Sequence, residues 1–169
     1  MRFGYTAAVV CLAWGIASVL LLRSFVAEPF AVPSASMLPT LRPGDHVVVD
    51  KLAYRFGDPG RGDLVVFHEP RGGDELLLKR VVAVGGQLIG IEDGVLHVDG
   101  HAVREPFVNR RLVDSVYFGP VRVPADEVFV MGDRREDSVD SRSFGAISRA
   151  LIIGRVDLRI WPPGRLGAP

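Results

Sequence analysis

The chain has 169 residues and a mass of 18.4 kDa, room for one domain with a true core plus an attached segment. Twenty basic and twenty acidic residues cancel and are spread along the chain, so no global field draws it to nucleic acid or to an acidic substrate. A single cysteine, Cys11, excludes an intrachain disulfide and a cysteine metal site, and its place in an apolar stretch reads as helix packing.

That stretch, Phe3 to Leu22, has no charged residue in 20 positions. A helix of this length covers about 30 Å, the thickness of a bilayer core. Trp14 and Gly15 suit such a helix, and Tyr5 suits the interface. A cleavable signal peptide is the competing reading. The apolar run is too long for a signal core, and Phe25 spoils a small-x-small site ending at Ala27. The organisation expected is therefore a short cytoplasmic N-terminus (1–2), a transmembrane anchor (3–22) and a domain over 23–169. Arg2 marks the N-terminus as cytoplasmic, but Arg23 weakens the charge bias, so orientation is left open by this rule.

Beyond Leu22, short runs of Val, Ile, Leu and Phe alternate with Gly, Pro and Asp, which predicts a mainly β domain of antiparallel sheets. Strands are expected at Glu28–Val32, His46–Asp50, Asp63–His68, Leu76–Val84, Leu88–Glu92, Val95–Val98, Val121–Val123, Val128–Met131 and Ala150–Ile160. Glu92-Asp93-Gly94 and Asp99-Gly100 read as hairpin turns. A short helical piece is expected near Ser143–Ile147, and a frayed tail over Pro162–Pro169.

Three segments carry candidate chemistry. In Pro33-Ser34-Ala35-Ser36-Met37-Leu38-Pro39-Thr40 the prolines restrict the backbone around small residues, and Ser36 is a possible nucleophile in what is otherwise an ordinary turn. A serine needs a base. His46, His68, His97 and His101 all sit at strand or turn positions without a motif, so a Ser-His-Asp triad has no support. Lys79 stands inside the apolar run Leu76–Val84. Alternation puts Leu77, Lys79 and Val81 on one face and Leu78, Arg80 and Val82 on the other, so one cation must face an apolar side unless the strand is at an edge. Burial lowers a lysine's pKa and makes it a usable base; snorkelling to water is the alternative. The third segment, Gly132 to Arg142, mixes small, acidic and basic residues and two serines. It fits neither an EF-hand nor a phosphate loop, and suits a hydrogen-bonded loop beside a site.

Together these segments resemble the type I signal peptidases, membrane-anchored Ser/Lys endopeptidases. Phe30–Leu41 is similar to that family's nucleophile box, Arg61–Phe67 to a structural strand box, Lys79–Gly86 to the box holding the base, and Gly132–Gly145 to its final box. The resemblance implies Ser36 as nucleophile and Lys79 as general base. It implies an oxyanion hole from the Ser34 hydroxyl and the Ser36 N–H, and Ser138 orienting Lys79 by a hydrogen bond. Asp140 and Arg142 would pair behind the dyad, and Phe30, Val32, Met37, Leu41 and Leu78 would line small substrate pockets. The implied reaction removes signal peptides from exported preproteins after small-x-small sites, through an acyl-enzyme and without metal or cofactor. The implied place is a bacterial cytoplasmic membrane, single-pass, with the catalytic domain on the extracytoplasmic side; the partners are preproteins and the bilayer. Two positions depart from the family's usual pattern: Arg134 where asparagine is common, and Gly85 where proline is. Two other readings stay open. A Ser/Lys autoprotease of the repressor-cleaving type would carry a DNA-binding helical domain, and an inert membrane-anchored β domain would merely bind exported chains.

Overall fold

The computed structural model describes residues 9–19, 26–109 and 116–169. Residues 9–19 form helix α1, with Val9, Leu12, Trp14 and Val19 exposed. Among the described residues no helix is long and apolar enough to cross a membrane. The anchor expected over 3–22 extends into positions outside the described residues at both ends.

The rest is β. Eleven strands follow in order: β1 (Ala27–Ala31), β2 (His46–Asp50), β3 (Leu64–His68), β4 (Leu76–Val84), β5 (Leu88–Glu92), β6 (Val95–Val98), β7 (His101–Ala102), β8 (Phe118–Arg122), β9 (Glu127–Met131), β10 (Ile147–Ser148) and β11 (Ile152–Trp161). They build two antiparallel sheets. Seven strands run in the order β1-β2-β11-β3-β4-β9-β10, and four in the order β7-β6-β5-β8. Both aspartyl-glycyl turns are the hairpins expected: Asp93 and Gly94, then Asp99 and Gly100, all take positive φ, the twist that matches flanking strands.

Three differences from the sequence expectation have local causes. β8 begins at Phe118, three residues early: Phe118 pairs with Ile91, and Gly119 and Pro120, which carry no strand preference of their own, lie in the irregularity between that pair and Ile89–Val121. The short helix, α2 (Ser141–Phe144), lies upstream of the expected piece: the Asp140 carboxylate caps it by accepting from the Arg142 N–H, and Gly145 ends it at a φ of 86°. The tail is not frayed. Its Gly167 exchanges both backbone hydrogen bonds with Arg159, and Arg165 reaches back to both oxygens of the buried Asp45 at 2.9 Å.

Apolar residues from alternate strand positions fill three clusters. One gathers Val32, Met37, Leu41, Val47, Val66 and Leu78 with their neighbours, a second lies between the sheets around Ile89, Leu96 and Phe129, and a third joins Val65, Phe67, Val81, Val128, Val130 and Ile147. A bulge between Val81 and Ala83 in the β4–β9 pair lets three successive residues, Val81 to Ala83, all be buried. The third cluster fastens α2 to the large sheet. Phe144 meets the fully buried Phe67 edge to face, with ring centroids 6.4 Å apart. Truncating Phe67 to alanine is expected to cost about 3–5 kcal/mol in denaturant unfolding. Because α2 leans on that ring, amide exchange at 141–144 should accelerate in the same variant.

Candidate active site

After β1 the chain turns through residues 32–45. Its two ends are tied by Val32 N–H to the Asp45 carbonyl at 2.9 Å and Gly44 N–H to the Val32 carbonyl at 3.0 Å. Within this turn a single 3-10 turn, Ala35–Met37, tucks Ser36 inward until 9% of it is exposed. The Ser36 carbonyl accepts the Arg134 N–H at 3.0 Å, so the turn is stitched to the segment after β9.

Lys79 lies on β4, opposite Val65 of β3, with 4% of its surface exposed. Its Nζ is 2.7 Å from Ser36 Oγ, and Ser34 Oγ is 3.1 Å from the same atom. Burial pushes the Lys79 amine below its ordinary pKa; Asp140 pulls the other way, and the Arg142 guanidinium beside that carboxylate opposes the pull. Arg80, the next residue, escapes the apolar faces differently. It forks onto Asp133, with two bonds of 2.8 Å, donates to the Gly62 carbonyl, and lies over the Phe107 ring 4.1 Å from its centroid. Of the two cations on β4, Lys79 is therefore the buried one without a charged hydrogen-bond partner. The four histidines stand away from this group: His46, His68 and His101 are exposed, and the described bonds of His97 and His101 run to local carbonyls.

The loop after β9 closes over the lysine. Asp140, 0% exposed, takes Arg142 Nε at 2.8 Å and its terminal nitrogen at 2.9 Å, and also accepts the Gly132 N–H at 3.1 Å. Arg142 then donates to the Arg135 carbonyl, while Ser141 Oγ accepts the Val130 N–H at 3.0 Å. Arg135 forms a second buried pair with Glu105. The expected Ser138–Lys79 hydrogen bond is not formed: Ser138 Oγ is buried with no hydrogen-bond partner, and it packs against Gly132. A Cβ on Gly132 would fall 2.3 Å from Ser138 Oγ and 2.6 Å from the Ser36 carbonyl, so glycine is what allows the two serine segments to meet. Gly85 has an equivalent reason for being glycine, since a Cβ there would lie 2.0 Å from the Ala125 carbonyl oxygen.

Of the five residues expected to line pockets, Val32, Met37, Leu41 and Leu78 are members of one core cluster, and Phe30, half-buried, packs on it. Leu41 has no exposed surface, and Met37 and Val32 have barely more, so all three are core side chains in the structure.

Sequence reasoning passed over the residues that brace the nucleophile turn. Thr40 Oγ1 donates to Asp133 at 2.5 Å, and the Thr40 carbonyl accepts from Arg159 and Arg165 at 3.0 and 3.2 Å. Asp45, buried and bonded to the Arg42 N–H, receives Arg165. The available signal was an Arg directly beside the candidate base and an Asp opening the third segment. Neither fixes a partner from sequence.

A serine hydroxyl in contact with a buried amine of lowered pKa, on an antiparallel β scaffold, defines the Ser/Lys peptidase class. Residues 5–161 match the family described as signal peptidase, peptidase S26. The chain is 44% identical to the probable signal peptidase I-1 of Synechocystis sp., over 88% of this chain and 78% of that protein. It is 38% identical to the signal peptidase I of Leptolyngbya laminosa, over 90% and 79%. A crystal structure of a signal peptidase I from Enterococcus faecalis superposes with a TM-score of 0.53 at 28% identity, covering 59% of this chain and 97% of that one. The chain belongs to the S26 family of signal peptidases. It is a serine endopeptidase of the signal peptidase I type, acting on the signal peptides of exported preproteins.

Replacing Gly132 by alanine forces Ser36 and Ser138 apart by a large fraction of an ångström. Displacements of that order at reacting atoms cost about 100-fold, so kcat should fall by about that factor with the circular dichroism spectrum unchanged. A variant with full kcat would mean that the two segments give way elsewhere.

Proposed function

We propose that Ser36 is the nucleophile and Lys79 the general base of this peptidase. The observation carrying the assignment is the 2.7 Å contact between a buried hydroxyl and a buried amine. With its pKa lowered, the neutral amine takes the Ser36 proton as Oγ attacks the scissile carbonyl, then returns it to the leaving nitrogen. The acyl-enzyme is cleared by a water that Lys79 deprotonates in turn. Ser34, whose hydroxyl is 3.1 Å from Ser36 Oγ, is positioned to turn toward the developing oxyanion together with the Ser36 N–H. A preorganised donor of this kind contributes about 3–4 kcal/mol. Asp140 and Arg142 hold the loop behind Lys79, and Ser138, packed on Gly132, is the neighbouring hydroxyl.

The substrate docks as an extended strand beside the Ser36 and Lys79 segments. Small pockets with Phe30 at the rim and Val32, Met37 and Leu78 behind it would take the small side chains of small-x-small sites. The uncharged segment Phe3–Leu22, helical where described and apolar on its surface, anchors the enzyme as a single pass in a bacterial cytoplasmic membrane. The catalytic domain then lies on the extracytoplasmic side, where the cleavage sites of exported chains emerge.

Ser36→Ala and Lys79→Ala should each lower preprotein cleavage in detergent by about four orders of magnitude or more, with cooperative unfolding retained. Normal processing by either variant sinks the assignment. The pH dependence has a definite sign. Activity needs the neutral amine, so kcat/KM rises with pH through the Lys79 pKa, and burial places that limb below the ordinary lysine value of 10.5. A profile still climbing steeply at that pH would mean that Lys79 is not held neutral.

A further inference from the structure

A cavity of about 420 Å³ opens beside the nucleophile turn, lined by Leu38, Pro39, Asn109, Asp133, Arg134 and Glu136. None of the roles assigned above uses it. Its place relative to Ser36 is set by two of its lining residues: Leu38 is two residues past Ser36 in the chain, and Arg134 donates its N–H to the Ser36 carbonyl. The residues that meet the acyl side of a substrate, Phe30, Val32 and Leu78, cluster with the chain before Ser36 and with β4. The cavity is bounded instead by the chain after Ser36 and by the loop after β9. An extended substrate with its scissile carbonyl at Ser36 Oγ advances about 3.3 Å per residue, so its first two residues beyond the cut reach this opening.

The walls differ in kind. Leu38 and Pro39 give one apolar side. Across from them Asp133 is sealed, already satisfied by Thr40 and the Arg80 fork. Arg134 and Glu136 are the ionic side chains that remain open, 36% and 26% exposed, joined at 3.1 Å, with Asp137 also 3.4 Å from the Arg134 guanidinium.

We propose that this cavity is the subsite for the first two residues of the mature protein, and that Arg134 and Glu136 read their charge. The inference rests on Ser36 being the nucleophile. A polar or charged side chain exchanges with one member of the Arg134–Glu136 pair, while a bulky apolar one would strand both.

The test is a set of preprotein substrates identical up to the cut and carrying Lys, Gln or Glu at the first and second mature positions, cleaved by the full chain in detergent micelles. Arg134→Glu should raise the Lys-to-Glu ratio of kcat/KM, and Glu136→Lys should lower it, each by about three- to tenfold, the range of a partly exposed ion pair. An ester with the same acyl portion and a methanol leaving group lacks mature residues. Its rates give the acylation chemistry alone, against which the peptide ratios are normalised. Ratios that stay within twofold of wild type in both variants overturn the subsite. Ratios moving the same way in both overturn it as well. If the subsite fails while Ser36→Ala is inert toward peptide and ester, the catalytic assignment stands. A Ser36→Ala enzyme that still cleaves both removes the foundation of each.

Discussion

Burial lowers the pKa of an amine and a nearby carboxylate raises it, and the two effects compete at Lys79. Of the three acids that raise its pKa, the two strongest are each engaged by an arginine, Asp140 by Arg142 and Asp133 by Arg80, while the third, Glu75, is exposed. Both carboxylates are fully sealed from water, so an unpaired charge at either would act through low dielectric and favour the ammonium strongly. The Arg142 guanidinium opposes that pull. Burial then decides, and the pKa of Lys79 falls. The pKa of Lys79 thus depends on Asp140, Arg142 and Asp133 as well as on its own burial.

The same two ion pairs also hold the backbone. Asp140 caps α2 and accepts from Gly132, so the group that would otherwise charge the lysine fixes the loop covering it. Asp133 takes Thr40 as well as Arg80 and joins the nucleophile turn to β4. Removing either carboxylate would therefore disturb electrostatics and geometry together, and rate losses at these positions do not partition into one or the other.

How much of this could be read from residues alone varies with the physics involved. Strands such as Leu76–Val84 and Leu88–Glu92 are delimited in the sequence as in the fold, because their apolar runs end at glycine and aspartate turns that need positive φ. The two-residue strands β7 and β10 carry no such pattern; they exist only because a neighbour pairs with them. The choice between Lys79 and Arg80 was not legible, since alternation gives each a face. It is settled by Asp133, 53 positions away from Arg80. The tail misled for the converse reason. Proline and glycine read as loose chain, whereas Arg159 and Arg165 had buried partners that no local window contains. Ser138 shows the limit of a resemblance: it locates the hydroxyl beside Gly132 and does not dictate where the proton points.

The clasp between Arg165 and the Thr40–Asp45 turn spans 120 to 125 positions of chain. Contacts of such separation close late in folding, after the entropy of a long loop has been overcome. During synthesis, the turn bearing Ser36 emerges long before the arginines that brace it and before the loop that covers Lys79. The turn bearing Ser36 is braced in full only when the last strand, β11, has inserted between β2 and β3 and the chain after it has folded back.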